Sequence, residues 1–366
     1  MGPGPTVVHQ RVLNASARPT IGHLDPSFIG LMDEIKHLLQ YAFQTENYMT
    51  MPISAPGSAG METCFANLVE PGDKVIVAIN GVFGMRMKEN VERCGGQAIV
   101  VEFPWGKPVD AQEIDEAFAR HPDAKILAFV HAETSTGVCS DAKVLAEIAH
   151  KYDAIVIVDA VTSLGGIALR VDEWQLDAVY SGSQKCLSGM PGISPVTFGQ
   201  RALNKIKKRQ SRIQSWFLDI SLIMEYWNPQ SGKSGRAYHH TAPVNSLYAL
   251  HESLLMVYEE GLENAWQRHQ TNHRFLRRGL EGLGISFLVE EDCRLPQLNS
   301  VLIPEGISDT EVRRYLLDQH QLEIGAGLGN LAGRIWRIGL MGQASSEENV
   351  AFCLKALDDA LKSQWA

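Results

Sequence analysis

Lys185, in the run DAVYSGSQKCLSG, and Asp159, which closes the apolar run AIVIVD, are the two residues best placed to do chemistry together. An apolar run ending on one carboxylate reads as a buried strand that carries the charge to its C-terminal end. Open α/β sheets bind their ligands at that end. The run AVYSGS (residues 178–183) is a second strand candidate that can deliver the lysine to the same edge. Such a pair suits pyridoxal phosphate chemistry: the amine forms a Schiff base and the acid partners the pyridinium nitrogen. The plainer alternative is a turn-forming aspartate and a solvated lysine, since charges near strand ends are common.

Three further segments could serve such a pair. SAPGSAGM (residues 54–61) precedes a helix pattern, and small residues there let the free N–H groups of a first turn approach an anion, which makes Gly57, Ser58 and Ala59 phosphate candidates. Arg337 sits among apolar neighbours in RIWRIG and must be paired, either with a substrate carboxylate or in a structural salt bridge. GAGLGNLAG (325–333) lacks the G-x-G-x-x-G spacing of a dinucleotide site and reads as a loop. Metal binding is weakly signalled. His131-Ala-Glu133 is half of a zinc-deaminase pattern with no P-C-x-x-C after it, and adjacent His239 and His240 should point in different directions.

The elements that must position these residues are legible as alternating patterns. Asp25-Pro26 caps a helix carrying Phe28, Ile29, Met32, Ile35, Leu39 and Phe43 at helical spacing. KVIVAI, QAIVVEF, KILAFV, AIVIVD, AVYSGS and SPVTFG are strand candidates, and their continuous apolar character predicts a mainly parallel sheet covered on both faces. A capping box at Asp110–Glu113 opens one helix, and another runs from about Asn245 to Glu260, where Gly261 stops it. Beyond it GISFL, NSVLIP, LEIGAG and RIWRIG are shorter strand candidates, with helices capped at Ser308 and beginning near Ser345. The expected organisation is an N-terminal segment (1–20), a large α/β domain (21–254) and a smaller α+β domain (255–366).

The 366 residues, 45% of them hydrophobic, are enough for a large core. The net charge of −9 and the lack of a basic cluster argue against nucleic acid as a partner, and KIKKR (205–209) reads as the solvated end of a helix. No apolar run is long enough to span a membrane, and no secretory signal is visible. MGPGPT matches an acylation pattern that Pro3 and Pro5 disfavour, and SQWA is no peroxisomal address. Six scattered cysteines read as reduced thiols, so a cytoplasmic location is expected.

GPGP, QYAFQTEN, SAPGSAGME, EPGD, NGVFG, HAETSTGV, VDAVTSLGG, YSGSQK, YHHTAPV, GLENAW and WRIGLMG occur in this order over nearly the whole chain. Together they resemble the class V (fold-type I) aminotransferases, above all those of the alanine–glyoxylate and serine–glyoxylate (serine–pyruvate) kind. The resemblance implies pyridoxal phosphate as cofactor, in a three-layer sheet fold with a smaller C-terminal domain. It makes Lys185 the Schiff-base lysine and general acid/base, and Asp159 the partner of the ring nitrogen. Val161 packs on one ring face and Phe83 on the other. Gly57, Ser58, Ala59 and Gln184 hold the phosphate, and Thr134 contacts cofactor or substrate. Tyr238 and Thr241 reach the phosphate of a neighbouring subunit, implying a homodimer. Arg337 takes the substrate carboxylate and Gly4 lines its pocket. Ser58 stands where some members have histidine, and Pro56 stiffens the loop before it. Both differences bear on substrate rather than cofactor.

The implied reaction moves an amino group from a small amino acid, alanine or serine, to glyoxylate or pyruvate by ping-pong kinetics. Ureidoglycine is a further possible donor. One rival is a cysteine desulfurase or lyase on the same cofactor, which needs a mobile thiol. Cys139 is its better candidate, because Cys186 points away from Lys185 if that segment is extended. The other is a pyridoxal-binding module without activity, against which the intact set of lysine, aspartate and arginine stands.

Overall fold

The computed structural model describes residues 1–227 and 236–364; Trp365 and Ala366 of the SQWA ending lie outside them. The strands are β1 (Met49–Ile53), β2 (Lys74–Ile79), β3 (Gln97–Glu102) and β4 (Ile126–Val130), a short hairpin of β5 (Ala132–Glu133) and β6 (Val138–Cys139), then β7 (Ile155–Asp159), β8 (Ala178–Tyr180) and β9 (Ser194–Phe198). Seven of them form one sheet in the order β1-β9-β8-β7-β4-β2-β3. β2, β3, β4, β7 and β8 pair in parallel, whereas β9 runs antiparallel to both β8 and β1. Every residue of β4, β7 and β9 is buried, because helices cover both faces and neither face can be polar. Each Val, Ile or Leu so buried contributes roughly 1.5–3 kcal/mol over exposure.

The covering helices are α1 (Gln10–Ser16), α2 (Pro26–Phe43), α3 (Gly57–Leu68), α4 (Val82–Arg93), α5 (Ala111–Arg120), α6 (Ala142–Lys151), α7 (Gln200–Lys207), α8 (Ile220–Trp227) and α9 (Val244–Glu260). Asp25 and Asp110 cap α2 and α5 through their side chains. Gly261, at φ 82°, closes α9 and starts α10 (Leu262–Gly282), a turn that a residue with a Cβ would strain. The KIKKR stretch ends α7; Lys205 pairs with Asp73 at 2.8 Å, and Arg209 donates to the carbonyls of Asn67 and Val69.

A second, smaller core gathers around Trp336, Ile338, Leu316 and Leu357. Here α10, α11 (Asp309–His320) and α12 (Glu347–Gln364) accompany an antiparallel sheet ordered β10 (Leu298–Leu302), β12 (Ile335–Gly339), β11 (Gly325–Ala326). Two expectations change. GISFL forms no strand, only a single bridge between Phe287 and Val301, flanked by the bonds Leu288 N–H to Ser300 O and Leu302 N–H to Ser286 O. The loop reading of GAGLGNLAG holds only after Ala326, because its first two residues belong to the strand candidate LEIGAG and form the edge strand β11, paired to Arg337 and Trp336. Among the described residues no helix is long and apolar enough to cross a membrane.

Parallel strands all present their C-terminal ends to one edge, and that is where the site lies. β7 delivers Asp159 there, β1 leads into the N-terminus of α3 and β2 into that of α4. The N-terminal segment crosses the same edge. Met1 and Thr6 bond to Gly339, Met341 and Gln184.

Candidate active site

Asp159 is almost completely buried at the end of β7. The parallel register places Tyr180 of β8 opposite it, and the phenol donates to Oδ2 at 2.8 Å while the Val161 amide donates to Oδ1 at 2.8 Å. Burial pushes the carboxyl up to about 6; the two donors and the charges of Lys185 and Arg86 pull it back. A carboxylate held this way, short of a full counter-charge, favours a protonated ring nitrogen beside it.

Lys185 lies on a turn after β8. Burial lowers its amine to about 8; among neighbouring charges, Arg337 lowers it further and Asp159 opposes the shift. Nζ donates to the Pro3 carbonyl. Gly4, at φ 101°, is in a conformation that strains any side chain, and a Cβ there would also sit 2.5 Å from Nζ. Lys185, Asp159, Arg337 and the N-terminal segment therefore share one site.

The first turn of α3 supplies Gly57, Ser58 and Ala59, and no side chain caps it. Its Gly57 approaches Val161 so closely that a Cβ would lie 3.4 Å from the valine methyl. Gln184 keeps a buried amide oxygen without a hydrogen-bond partner. Phe83 lies in the first turn of α4 with the Arg86 guanidinium 4.9 Å from its ring centre. Thr134 is buried, its hydroxyl 2.5 Å from that of Thr162.

Arg337 is 7% exposed in the middle of β12. The alternative of a structural salt bridge fails: its Nε donates to Ala326 O at 2.8 Å and Nη1 to Thr134 O at 3.1 Å, and among the described residues no carboxylate pairs with it. Two backbone carbonyls fix the fork in place; burial works against its charge, and the nearby Glu133 carboxyl favours it without a direct contact.

Tyr238 and Thr241 are not brought into this cluster. Both are exposed, the tyrosine by 62%, and their hydroxyls stand 3.4 Å apart. His239 and His240 do not diverge as expected, since their Nδ1 atoms meet at 2.8 Å and His240 Nε2 reaches Ser54 Oγ at 2.7 Å. Among the described residues no group of three His, Cys, Asp or Glu side chains could hold a metal. Cys186 is on a turn, not an extended segment, with Sγ toward Thr162 O; burial pushes it and Cys139 up to about 12, so neither is a ready thiolate.

Sequence reasoning missed Tyr180, Thr162 and Pro3. Tyr180 had a signal, as pairing the ends of AIVIVD and AVYSGS in register puts it beside Asp159. Taken together, a buried acid, a near-neutral amine and an uncapped helix N-terminus fit a phosphorylated pyridine.

The family model Aminotransferase class-V matches residues 8–343. The alanine–glyoxylate aminotransferase of Rattus norvegicus is 39% identical over 363 residues, 99% of this chain and 87% of that protein. Among solved structures, the alanine–glyoxylate aminotransferase of Nostoc sp. superposes with a TM-score of 0.95 at 44% identity, covering 99% of this chain and 94% of the other. The ureidoglycine–glyoxylate aminotransferase of Bacillus subtilis gives 0.96 at 39% identity, covering 100% and 93%. The residues, the sheet that carries them and these likenesses agree: the chain belongs to the class V aminotransferases, enzymes that depend on pyridoxal phosphate.

Proposed function

We propose that this enzyme transfers the amino group of alanine or serine to glyoxylate or pyruvate, in two half-reactions with ping-pong kinetics. One observation carries the choice of a carboxylate substrate: the buried Arg337 fork, oriented by Ala326 and Thr134 and without a carboxylate partner among the described residues. A small side chain is favoured because Gly4 and Pro3 close over Lys185. The names of the relatives from Rattus norvegicus and Nostoc sp. support this pair of substrates. Ureidoglycine is the second reading, favoured by the likeness to the Bacillus subtilis enzyme.

Bound pyridoxal phosphate supplies the electron sink for a deprotonated amino-acid carbon. In this proposal the chain does the rest. Asp159 keeps the ring nitrogen protonated, and Val161 and Phe83 hold the two ring faces. Gly57, Ser58, Ala59 and Gln184 take the phosphate. Thr134 contacts the cofactor or substrate, and Arg337 orients the carboxylate. Lys185, largely neutral above its lowered titration point, takes the proton from the substrate carbon and returns it. Gly4 and Pro3 keep water from the amine.

The proposal extends to a homodimer in which Tyr238 and Thr241 of a second copy complete the phosphate site. Their exposure supports it. It also takes residues 1–20, 21–254 and 255–366 as three working pieces, the last supported by its separate core around Trp336, and a cytoplasmic location, supported by free cysteines. A panel of alanine, serine and ureidoglycine against glyoxylate and pyruvate, read by glycine, pyruvate and hydroxypyruvate formation, tests the substrates. Equal inactivity of all donors would remove the reading.

A further inference from the structure

Glu133, the acidic half of the His131-Ala-Glu133 pattern, belongs to no group of three metal-ligating side chains among the described residues, and its carboxyl is fully buried beside the site. Its Oε1 accepts from the Ser135 amide at 2.9 Å and the Ser135 hydroxyl at 2.5 Å, and its Oε2 accepts from the Phe83 amide at 3.3 Å. The Ser135 hydroxyl in turn accepts from the Val82 amide at 3.0 Å. Gly81 sits at the N-cap of α4 and has no side chain to cap it, so Glu133 and Ser135 take the N–H groups of the first turn instead. The substitution is spatial as well as chemical. A Cβ on Gly81 would lie 2.4 Å from the Glu133 carboxyl carbon and 2.5 Å from Ser135 Oγ.

The same short loop bears Thr134 between Glu133 and Ser135. Its carbonyl accepts from Arg337 and its hydroxyl meets Thr162, the neighbour of Val161. One carboxyl thus ties the helix turn that carries Phe83 to the loop that carries the Arg337 contact. All three contacts of Glu133 are donors, an arrangement that suits the ionised form. Burial and Asp159 work against it and push the acid up to about 7.

We propose that Glu133 is a positioning residue for the cofactor, acting through the main chain of Phe83 to set the aromatic wall of the site. This rests on the reading that Phe83 stacks on the ring. An amide at position 133 keeps the size but can turn an NH2 toward the Phe83 N–H, so donor would face donor.

The test is a double-mutant cycle of E133Q and F83A, read as the dissociation constant of pyridoxal phosphate from the apoprotein and as the visible circular dichroism of the bound cofactor. E133Q should weaken binding on the order of tenfold in the presence of Phe83 and alter the dichroism, and should do neither on the F83A background. If F83A weakens binding but E133Q does not, or if E133Q costs the same with and without the ring, this proposal fails alone. If F83A has no effect, the stacking reading fails and takes this one with it. Should E133Q not fold, S135A removes only the hydroxyl link and should shift affinity in the same direction by a smaller factor; unchanged affinity in S135A then overturns the proposal.

Discussion

Two halves of the same site are built in opposite ways. At the catalytic end Asp159, Lys185, Thr134 and Arg337 are buried or nearly so, and each has hydrogen-bond partners within the chain. At the proposed phosphate end Ser58, Tyr238 and Thr241 are exposed, and among the described residues the hydroxyls of Tyr238 and Thr241 meet each other. Preorganised polar groups in a dry pocket act strongly and need no rearrangement. Exposed ones cannot act so until something covers them. The contrast fits the proposal that one chain builds the chemistry alone while Tyr238 and Thr241 of a second copy complete the cofactor's anchor.

Substitutions at the buried end should have the larger effects. K185A should reduce transamination by about 10⁴-fold or more, since nucleophile and proton carrier vanish together, and the protein should no longer retain cofactor after borohydride treatment. Retained activity would break the assignment. D159N should leave cofactor bound but lower kcat on the order of 10²–10³-fold, the usual scale for removing one preorganised electrostatic partner. R337A should raise KM for the oxo acid about 10–100-fold with a smaller change in kcat, because a charge-assisted contact to the carboxylate is lost. An unchanged KM would return Arg337 to a purely structural part.

The buried end was also the more legible one. Asp159 was readable because a continuous apolar run leaves a carboxylate only one end to occupy, and Lys185 followed from the next strand. What sequence could not give was partnership. Arg337 was expected to need a carboxylate and found two carbonyls, Ala326 O on the edge strand β11 and Thr134 O on the loop after β5, segments that no local pattern brings together. Glu133 looked like half a metal site, since nothing in a one-dimensional pattern places Gly81 against it. β1 was missed as well. Its Thr50 and Pro52 blur the strand pattern, yet proline is tolerated there because β1 is the sheet's edge. Strand identity is local, whereas these contacts are set by register.

The exposed end gives smaller, concentration-dependent effects. Y238F and T241A should each weaken pyridoxal phosphate binding by a few-fold to about tenfold, the range for one hydrogen bond to an anion, while kcat at saturating cofactor changes little. If the second-copy proposal holds, mixing Y238F with a K185A chain should return a fraction of wild-type cofactor affinity in hybrid dimers. A sedimentation measurement showing an active monomer would break the comparison outright.

The finest distinction concerns the charges that Lys185 feels. Its amine titrates near 8 in the folded chain against an ordinary 10.5, so between those values the unfolded chain binds more protons and the apoprotein gains stability as pH rises. Asp159 behaves oppositely: raised from 3.8 to about 6, it binds more protons when folded, so stability falls as pH climbs through that window. Replacing either residue by a neutral one should flatten the corresponding slope of melting temperature against pH. The two neighbours of Lys185 can also be separated by sign. R337A removes a cation that disfavours the ammonium and should move the amine's midpoint up, whereas D159N removes an anion that favours it and should move the midpoint down. The pH dependence of pyridoxal phosphate association with the apoprotein, measured against K185A as baseline, reads that midpoint. Unchanged midpoints in both variants would mean that burial alone sets the amine, and that Arg337 and Asp159 do not converge on it.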